Sequence, residues 1–139
     1  MSDKGTVLIV DDMEEHCLLL SRVLSAAGFA PLTATEGEKA LEIAKNERPV
    51  LVLLDVSIPE MDGIEVCRAL RRDKRNDNVP VVMLTCKENV SDIVKALEAG
   101  ADDYLFKSAS KEELLNRIEG ALAMAEAGKL PSQNRMKRN

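Results

Sequence analysis

Three short runs of apolar, β-favouring residues constrain this chain more than any other feature. They are 7–10 (VLIV), 50–54 (VLVLL) and 81–84 (VVML), and each is apolar at every position. A strand with one face in water alternates apolar and polar residues, so these runs predict parallel strands covered on both faces. Segments 30–34 and 103–106 are weaker strand candidates, and Pro31 and the polar residues favour edge positions for them.

Helical patterns separate the strand candidates. Apolar residues recur at helical spacing in five segments, which run from Met13 to Ala27, Ala40 to Ala44, Ile64 to Leu70, Val90 to Leu97 and Leu114 to Ala125. Ser110 is expected to cap the fifth helix. Five strand–helix repeats predict an α/β fold with a doubly wound parallel sheet.

Length and charge limit the class of protein. The 139 residues suit one domain, which we expect to span 1–128, followed by a basic flexible tail over 129–139. The tail holds four basic and no acidic residues, so the net charge of −5 leaves −9 on the body. An acidic body with 2% aromatic residues argues against direct nucleic-acid binding. Without a run of about 18 apolar residues or a signal-peptide pattern, we expect no membrane span and a cytoplasmic location.

Polar residues follow four of the predicted strands. Ligands of open α/β sheets bind beyond the carboxyl ends of the strands, so these residues are expected to meet at one edge. They are Asp11 and Asp12 after the first strand, Asp55 after the third, Thr85 after the fourth and Lys107 after the fifth.

Each of these residues also has a purely structural interpretation. Asp12 could cap the first helix, Asp55 could form a turn, Thr85 could cap the next helix and Lys107 could be solvated. Their occurrence after four separate strands favours a shared site.

The three carboxylates predict a cation. Two carboxylates about 4 Å apart repel by about 4 kcal/mol at an effective dielectric of about 20, so three need compensation. An all-oxygen donor set suits Mg²⁺. Such a site can accept a phosphoryl group, with Lys107 adding positive charge and Thr85 a hydrogen bond, and a carboxylate can act as the nucleophile.

Over about residues 5–127 the chain resembles the receiver domains of two-component response regulators. The motifs that carry the resemblance are 8–12 (LIVDD), 53–63 (LLDVSIPEMDG), 80–85 (PVVMLT) and 99–107 (AGADDYLFK). The resemblance implies the flavodoxin-like (βα)5 fold with strand order 2-1-3-4-5.

It also implies a function for the acidic residues. Asp55 resembles the phosphoacceptor, and Asp11 and Asp12 resemble the acid pair that holds Mg²⁺. Ser57 is expected to offer its backbone carbonyl to the metal, together with Asp55. The implied donor is a sensor histidine kinase or a phosphotransfer protein.

The remaining motif residues resemble a conformational switch. Thr85 and Tyr104 match the switch hydroxyl and the switch aromatic, and Lys107 matches the phosphoryl-binding lysine. A phosphoryl group on Asp55 would thereby change the surface formed by the fourth helix, fifth strand and fifth helix. We expect a downstream protein target, a monomer or phosphorylation-dependent dimer, and no enzymatic role beyond the domain's own phosphotransfer and dephosphorylation.

Two departures from the family pattern affect this interpretation. Ser108 stands where a cis-proline usually follows the lysine, and a cis bond to serine would cost about 2.5–4 kcal/mol, so we expect a trans bond. Cys86 and Lys87 follow Thr85, where the family commonly has alanine at the first of the two positions. Lys87 could alter water access to the site or simply be a solvated loop lysine.

Other functions stay open on the sequence. A phosphohydrolase with an aspartate nucleophile would want a second aspartate at Ser57, and a flavin-binding module would not place Asp11 and Asp12 after the first strand. A receiver that has lost its chemistry and acts only through protein contacts is a third alternative. His16 is expected to be an exposed helix residue, and the pair Asp102–Asp103 a turn.

Overall fold

The chain forms a five-stranded parallel sheet between two layers of helices. The computed structural model describes residues 3–56, 62–86 and 90–137. The strands are β1 (Thr6–Val10), β2 (Ala30–Ala34), β3 (Leu51–Asp55), β4 (Val81–Thr85) and β5 (Asp103–Phe106). The helices are α1 (Glu14–Ala26), α2 (Gly37–Glu47), α3 (Gly63–Arg72), α4 (Val90–Glu98), α5 (Lys111–Glu126) and α6 (Pro131–Lys137), with a short 3₁₀ helix at Lys74–Asn76.

The strand order is β2-β1-β3-β4-β5, and every neighbouring pair is parallel. The predicted flavodoxin-like fold is therefore confirmed. The two weak strand candidates are the edge strands β2 and β5, as expected. Pro31 lies on the edge strand β2, where it pairs with Val7 of β1.

Alternate residues of the central strands enter two separate cores. Val7 and Ile9 pack with α1 and α5, whereas Leu8 and Val10 pack with α2, α3 and α4. All four side chains are fully buried. Burial on both faces explains why these strands are apolar at every position.

The C-terminal segment differs from the flexible tail that the sequence predicts. Residues 131–137 form α6, and Leu130 before it is fully buried. The backbone N–H of Ser132 donates to Asp102 Oδ1 at 2.9 Å, and the Arg135 guanidinium donates to the carbonyl of Ala101. Buried apolar surface and these hydrogen bonds dock α6 against the start of β5.

The start of α1 bears on the structural interpretation of Asp12. The helix begins one residue after Met13, whose side chain is exposed, and Met13 is the N-cap without a side-chain hydrogen bond. The alternative in which Asp12 caps the first helix is therefore wrong. Ser110 does cap α5 as predicted, since its hydroxyl accepts a hydrogen bond from the N–H of Glu113.

Among the helices that the structure describes, none combines the length and the apolar composition that crossing a bilayer requires.

Candidate functional site

Asp11 lies directly beyond β1 and is fully buried. Its backbone N–H continues the sheet by donating to Ala34 O at 3.0 Å, and its Oδ1 accepts a hydrogen bond from Met13 N at 3.0 Å. The turn into α1 thus fixes the carboxylate at the edge of the sheet. Asp12 follows it and is exposed.

Asp55 is the last residue of β3 and is 2% exposed. The start of α3 packs closely on this strand end, because a Cβ atom at Gly63 would lie 2.1 Å from the carbonyl oxygen of Asp55. The N–H of Gly63 donates to Val56 O at 2.8 Å. A glycine at position 63 is therefore required for α3 to hold the strand end in this position.

Lys107 reaches into the same edge from the end of β5. Its N–H donates to Thr85 O at 2.9 Å, and its Nζ lies 2.8 Å from Asp55 Oδ2 and 3.5 Å from Asp11 Oδ2. The interpretation of Lys107 as a solvated lysine is therefore wrong. The described residues contain no cis peptide bond, so the bond between Lys107 and Ser108 is trans, as predicted.

These side chains form an acidic cluster. One carboxylate oxygen each from Asp11, Asp12 and Asp55 lies within 4.8 Å of the others, an arrangement that could hold a metal ion. Two charges at this distance repel by about 3 kcal/mol at an effective dielectric of about 20. Lys107 offsets one of the three negative charges, and oxygen donors at this spacing suit a hard divalent cation.

The ionisation of the cluster follows from its contacts. Burial acts to raise the pKa of Asp11, but hydrogen bonds from His16 and Met13 and the charge of Lys107 outweigh it, so the pKa lies below its ordinary value. Burial acts to lower the pKa of Lys107, but its bonds to Asp55 and Asp11 raise it above its ordinary value. Asp11 is therefore a charged carboxylate beside the charged Lys107 ammonium at neutral pH.

The predicted switch residues lie on the neighbouring strands β4 and β5. Thr85 ends β4 and is 1% exposed, and its hydroxyl donates to Cys86 O at 3.1 Å. Tyr104 on β5 is 37% exposed, and its ring meets that of Phe106 edge-on at 6.1 Å between centroids. The role of both residues as a switch stays a prediction.

Ser57 and Lys87 lie outside the described residues. The carbonyl ligand expected from Ser57 and the effect expected from Lys87 therefore stay predictions as well.

Two features of the structure contradict expectations from the sequence. His16 is not an exposed helix residue: its side chain is 20% exposed and its Nδ1 is hydrogen-bonded to Asp11 Oδ2. Its position in the first turn of the helix after Asp11 is a signal that could have indicated this contact.

Asp102 and Asp103 are not a turn pair. The Asp102 side chain is 2% exposed and bonds to the Arg71 guanidinium at 2.8 Å, whereas Asp103 begins β5 and pairs with Arg117 at 2.8 Å. Arg71 and Asp102 are 31 residues apart, so no local pattern in the sequence indicates their pairing.

Comparison with known proteins agrees with this geometry. Residues 7–119 match the family model of the response regulator receiver domain. The alkaline phosphatase synthesis transcriptional regulatory protein PhoP of Bacillus subtilis is 43% identical over 120 residues, which cover 86% of this chain and 49% of PhoP. The chain spans about half the length of the curated relatives it matches.

Solved structures show the same fold. A putative response regulator from Chloroflexus aurantiacus superposes with a TM-score of 0.82 and 35% identity, covering 86% of this chain and 98% of that one. The chemotaxis protein CheY4 of Vibrio cholerae superposes with a TM-score of 0.80 and 30% identity, covering 84% and 98%. The motifs, the strand order, the acidic cluster and these matches agree, and the chain belongs to the response regulator receiver domain family.

Proposed function

We propose that this domain receives a phosphoryl group on Asp55 from a phosphohistidine of a sensor histidine kinase or phosphotransfer protein, in a reaction that depends on Mg²⁺. The observation that carries the proposal is the cluster itself. Three carboxylates lie within 4.8 Å of one another, and the Lys107 ammonium lies 2.8 Å from Asp55. Proteins of this family interact with histidine kinases and downstream effectors.

The chain's own residues suit the metal. Asp11, Asp12 and Asp55 provide carboxylate oxygens at mutual distances that one divalent cation can span, and the resemblance adds the backbone carbonyl of Ser57. When bound, Mg²⁺ supplies positive charge that draws phosphoryl oxygens toward the site and offsets the repulsion between the acids.

Asp55 has the position required of the nucleophile. Its carboxylate oxygen attacks phosphorus, so that a carboxyl O–P bond forms while the P–N bond to the donor histidine breaks. The histidine nitrogen keeps the electron pair of the broken bond. Lys107 binds a phosphoryl oxygen from its place beside Asp55, and Thr85 supplies its hydroxyl as a donor from the end of the neighbouring strand.

Phosphorylation is proposed to act as a switch. The added charge on Asp55 draws Thr85 toward the phosphoryl group, and the space that Thr85 leaves admits the ring of Tyr104. The surface of α4, β5 and α5 then shifts between two populations. The domain on this account is no enzyme beyond taking part in its own phosphotransfer and dephosphorylation.

The output is proposed to be a contact with another protein or protein segment. The relatives include transcriptional regulatory and DNA-binding response regulators, each about twice as long as the matched region. The acidic body of this domain favours signalling through protein contacts and not through direct contact with nucleic acid. The domain is proposed to act in the cytoplasm, as a monomer or a phosphorylation-dependent dimer.

The proposal is tested by incubating the protein with acetyl phosphate and Mg²⁺ and measuring intact mass. One phosphoryl adduct, removed by hydroxylamine as an acyl phosphate is, is expected on the wild type and none on Asp55→Asn. Asp62→Asn is the matched control, because Asp62 is an exposed cap of α3 and asparagine caps equally well. An adduct that persists in Asp55→Asn, or none on the wild type, contradicts the proposal.

A further inference from the structure

His16 makes a contact with the acidic cluster that the proposed phosphotransfer does not use. It is the third residue of α1, and its Nδ1 is hydrogen-bonded to Oδ2 of the fully buried Asp11. The candidate ligand oxygens come from three aspartates. His16 therefore acts on the cluster through Asp11.

Asp11 does not depend on His16 for its orientation. Its Oδ1 is held by the N–H of Met13 at 3.0 Å, and its backbone N–H donates to Ala34 O. Its carbonyl oxygen accepts a hydrogen bond from the Cys17 thiol at 3.3 Å. These three bonds fix both the backbone and the side chain of Asp11. The hydrogen bond from His16 to Oδ2 is therefore not needed to orient the carboxylate.

Oδ2 is the oxygen of Asp11 that pairs with the Lys107 ammonium. Lys107 Nζ lies 3.5 Å from Asp11 Oδ2 and 2.8 Å from Asp55 Oδ2. A cation bound where the Lys107 ammonium now bridges Asp11 and Asp55 would compete with the donors already at Asp11 Oδ2. His16 is one of those donors, and its neutral imidazole with a proton on Nδ1 suffices for the bond.

We propose that His16 is a positioning residue that occupies Asp11 Oδ2 in the metal-free domain and thereby weakens the binding of divalent cations. The inference rests on the proposed function, because it concerns the affinity of the same site for Mg²⁺. The metal-free cluster is stabilised by the imidazole, and the cation binds only by displacing or sharing that bond.

The test is calorimetric titration of the whole chain with MgCl₂. His16→Leu removes the donor, and the dissociation constant for Mg²⁺ is expected to fall about five- to tenfold, which is the typical net contribution of one protein hydrogen bond. His16→Asn is the matched control. Its amide can donate from about the place of Nδ1, so its dissociation constant is expected to lie within about twofold of the wild type.

The outcomes separate this inference from the proposed function. If the wild type binds Mg²⁺ and His16→Leu binds it equally or more weakly while still folded, the inference is wrong and the proposed function stands. If the wild type binds no Mg²⁺ at millimolar concentrations, both the inference and the proposed function are wrong. Thermal unfolding without metal establishes that the variant folds. If His16→Leu does not fold, His16→Gln replaces it, because glutamine is a good helix former and its longer side chain places the amide elsewhere.

Discussion

Buried carboxylates lie at both ends of the parallel sheet, and their surroundings differ. At the end where the strands start, Asp102 accepts hydrogen bonds from Arg71 Nη2, Val81 N and Ser132 N at 2.8 to 2.9 Å. At the opposite end, Asp11 and Asp55 lie beside a third acid and share the Lys107 ammonium.

This comparison separates a buried acid whose charge is balanced within the fold from acids that are candidates for a cation site. Asp102 has a guanidinium partner of opposite charge and two backbone donors, so its negative charge is balanced within the fold. In the acidic cluster, three carboxylates are grouped within 4.8 Å, and the single positive charge of Lys107 offsets their repulsion only in part. Replacing an aspartate by asparagine should therefore have opposite effects at the two ends.

The largest effect is expected at Asp102. Asp102→Asn leaves the guanidinium of Arg71, which is 7% exposed, without its balancing charge and should lower the free energy of unfolding by about 3 kcal/mol. Urea denaturation measures it. Asp103→Asn is the control, since its pair with Arg117 is partly exposed and should change stability by less than about 1 kcal/mol. Equal effects at the two positions would break the distinction between a buried and an exposed pair.

The docking of α6 predicts the next largest loss of stability. Leu130 is fully buried, so Leu130→Ala should destabilise the domain by about 2–3 kcal/mol, whereas Leu19→Ala, at a residue 62% exposed, should change it by less than about 0.5 kcal/mol. The same denaturation experiment compares them. A Leu130→Ala variant as stable as the wild type would mean that the segment after α5 does not dock.

In the acidic cluster, replacing an aspartate by asparagine is expected to raise the free energy of unfolding. Asp12→Asn removes one of three neighbouring charges and should stabilise the metal-free protein by about 1 kcal/mol in low salt, less as salt screens the repulsion. Chemical denaturation in EDTA, with and without added NaCl, measures the gain. Destabilisation by this variant would show that the three acids do not repel one another in the fold.

The smallest effect concerns a partly exposed acid, Asp73, directly beyond the end of α3. The Arg75 guanidinium and backbone N–H lower the pKa of Asp73 to about 2. Since the folded pKa lies below the ordinary value of 3.8, the contact stabilises the fold above about pH 4, and this contribution is lost as the pH falls toward 2. Carboxyl chemical shifts in an NMR titration report the pKa. In Arg75→Gln it should return toward 3.8, and a value unchanged by that substitution would refute the assignment.

Much of the fold and of the site follows from the sequence. Continuous apolar runs predict the central strands, and residues at the strand ends predict the meeting of Asp11, Asp55 and Lys107. What the sequence does not reveal depends on distant contacts. Asp102 meets Arg71 and Ser132 only after folding, and the burial of Leu130 before α6 depends on contacts that no local pattern near residue 130 indicates.

We infer that the acids beyond the carboxyl ends of the strands form a cation site, whereas those at the opposite end of the sheet do not. Calorimetric titration with MgCl₂ measures this difference. We expect one saturable site in the wild type, weakened at least about tenfold in Asp12→Asn and unchanged in Asp103→Asn. Binding that is absent from the wild type, or that is equal in the two variants, would contradict it.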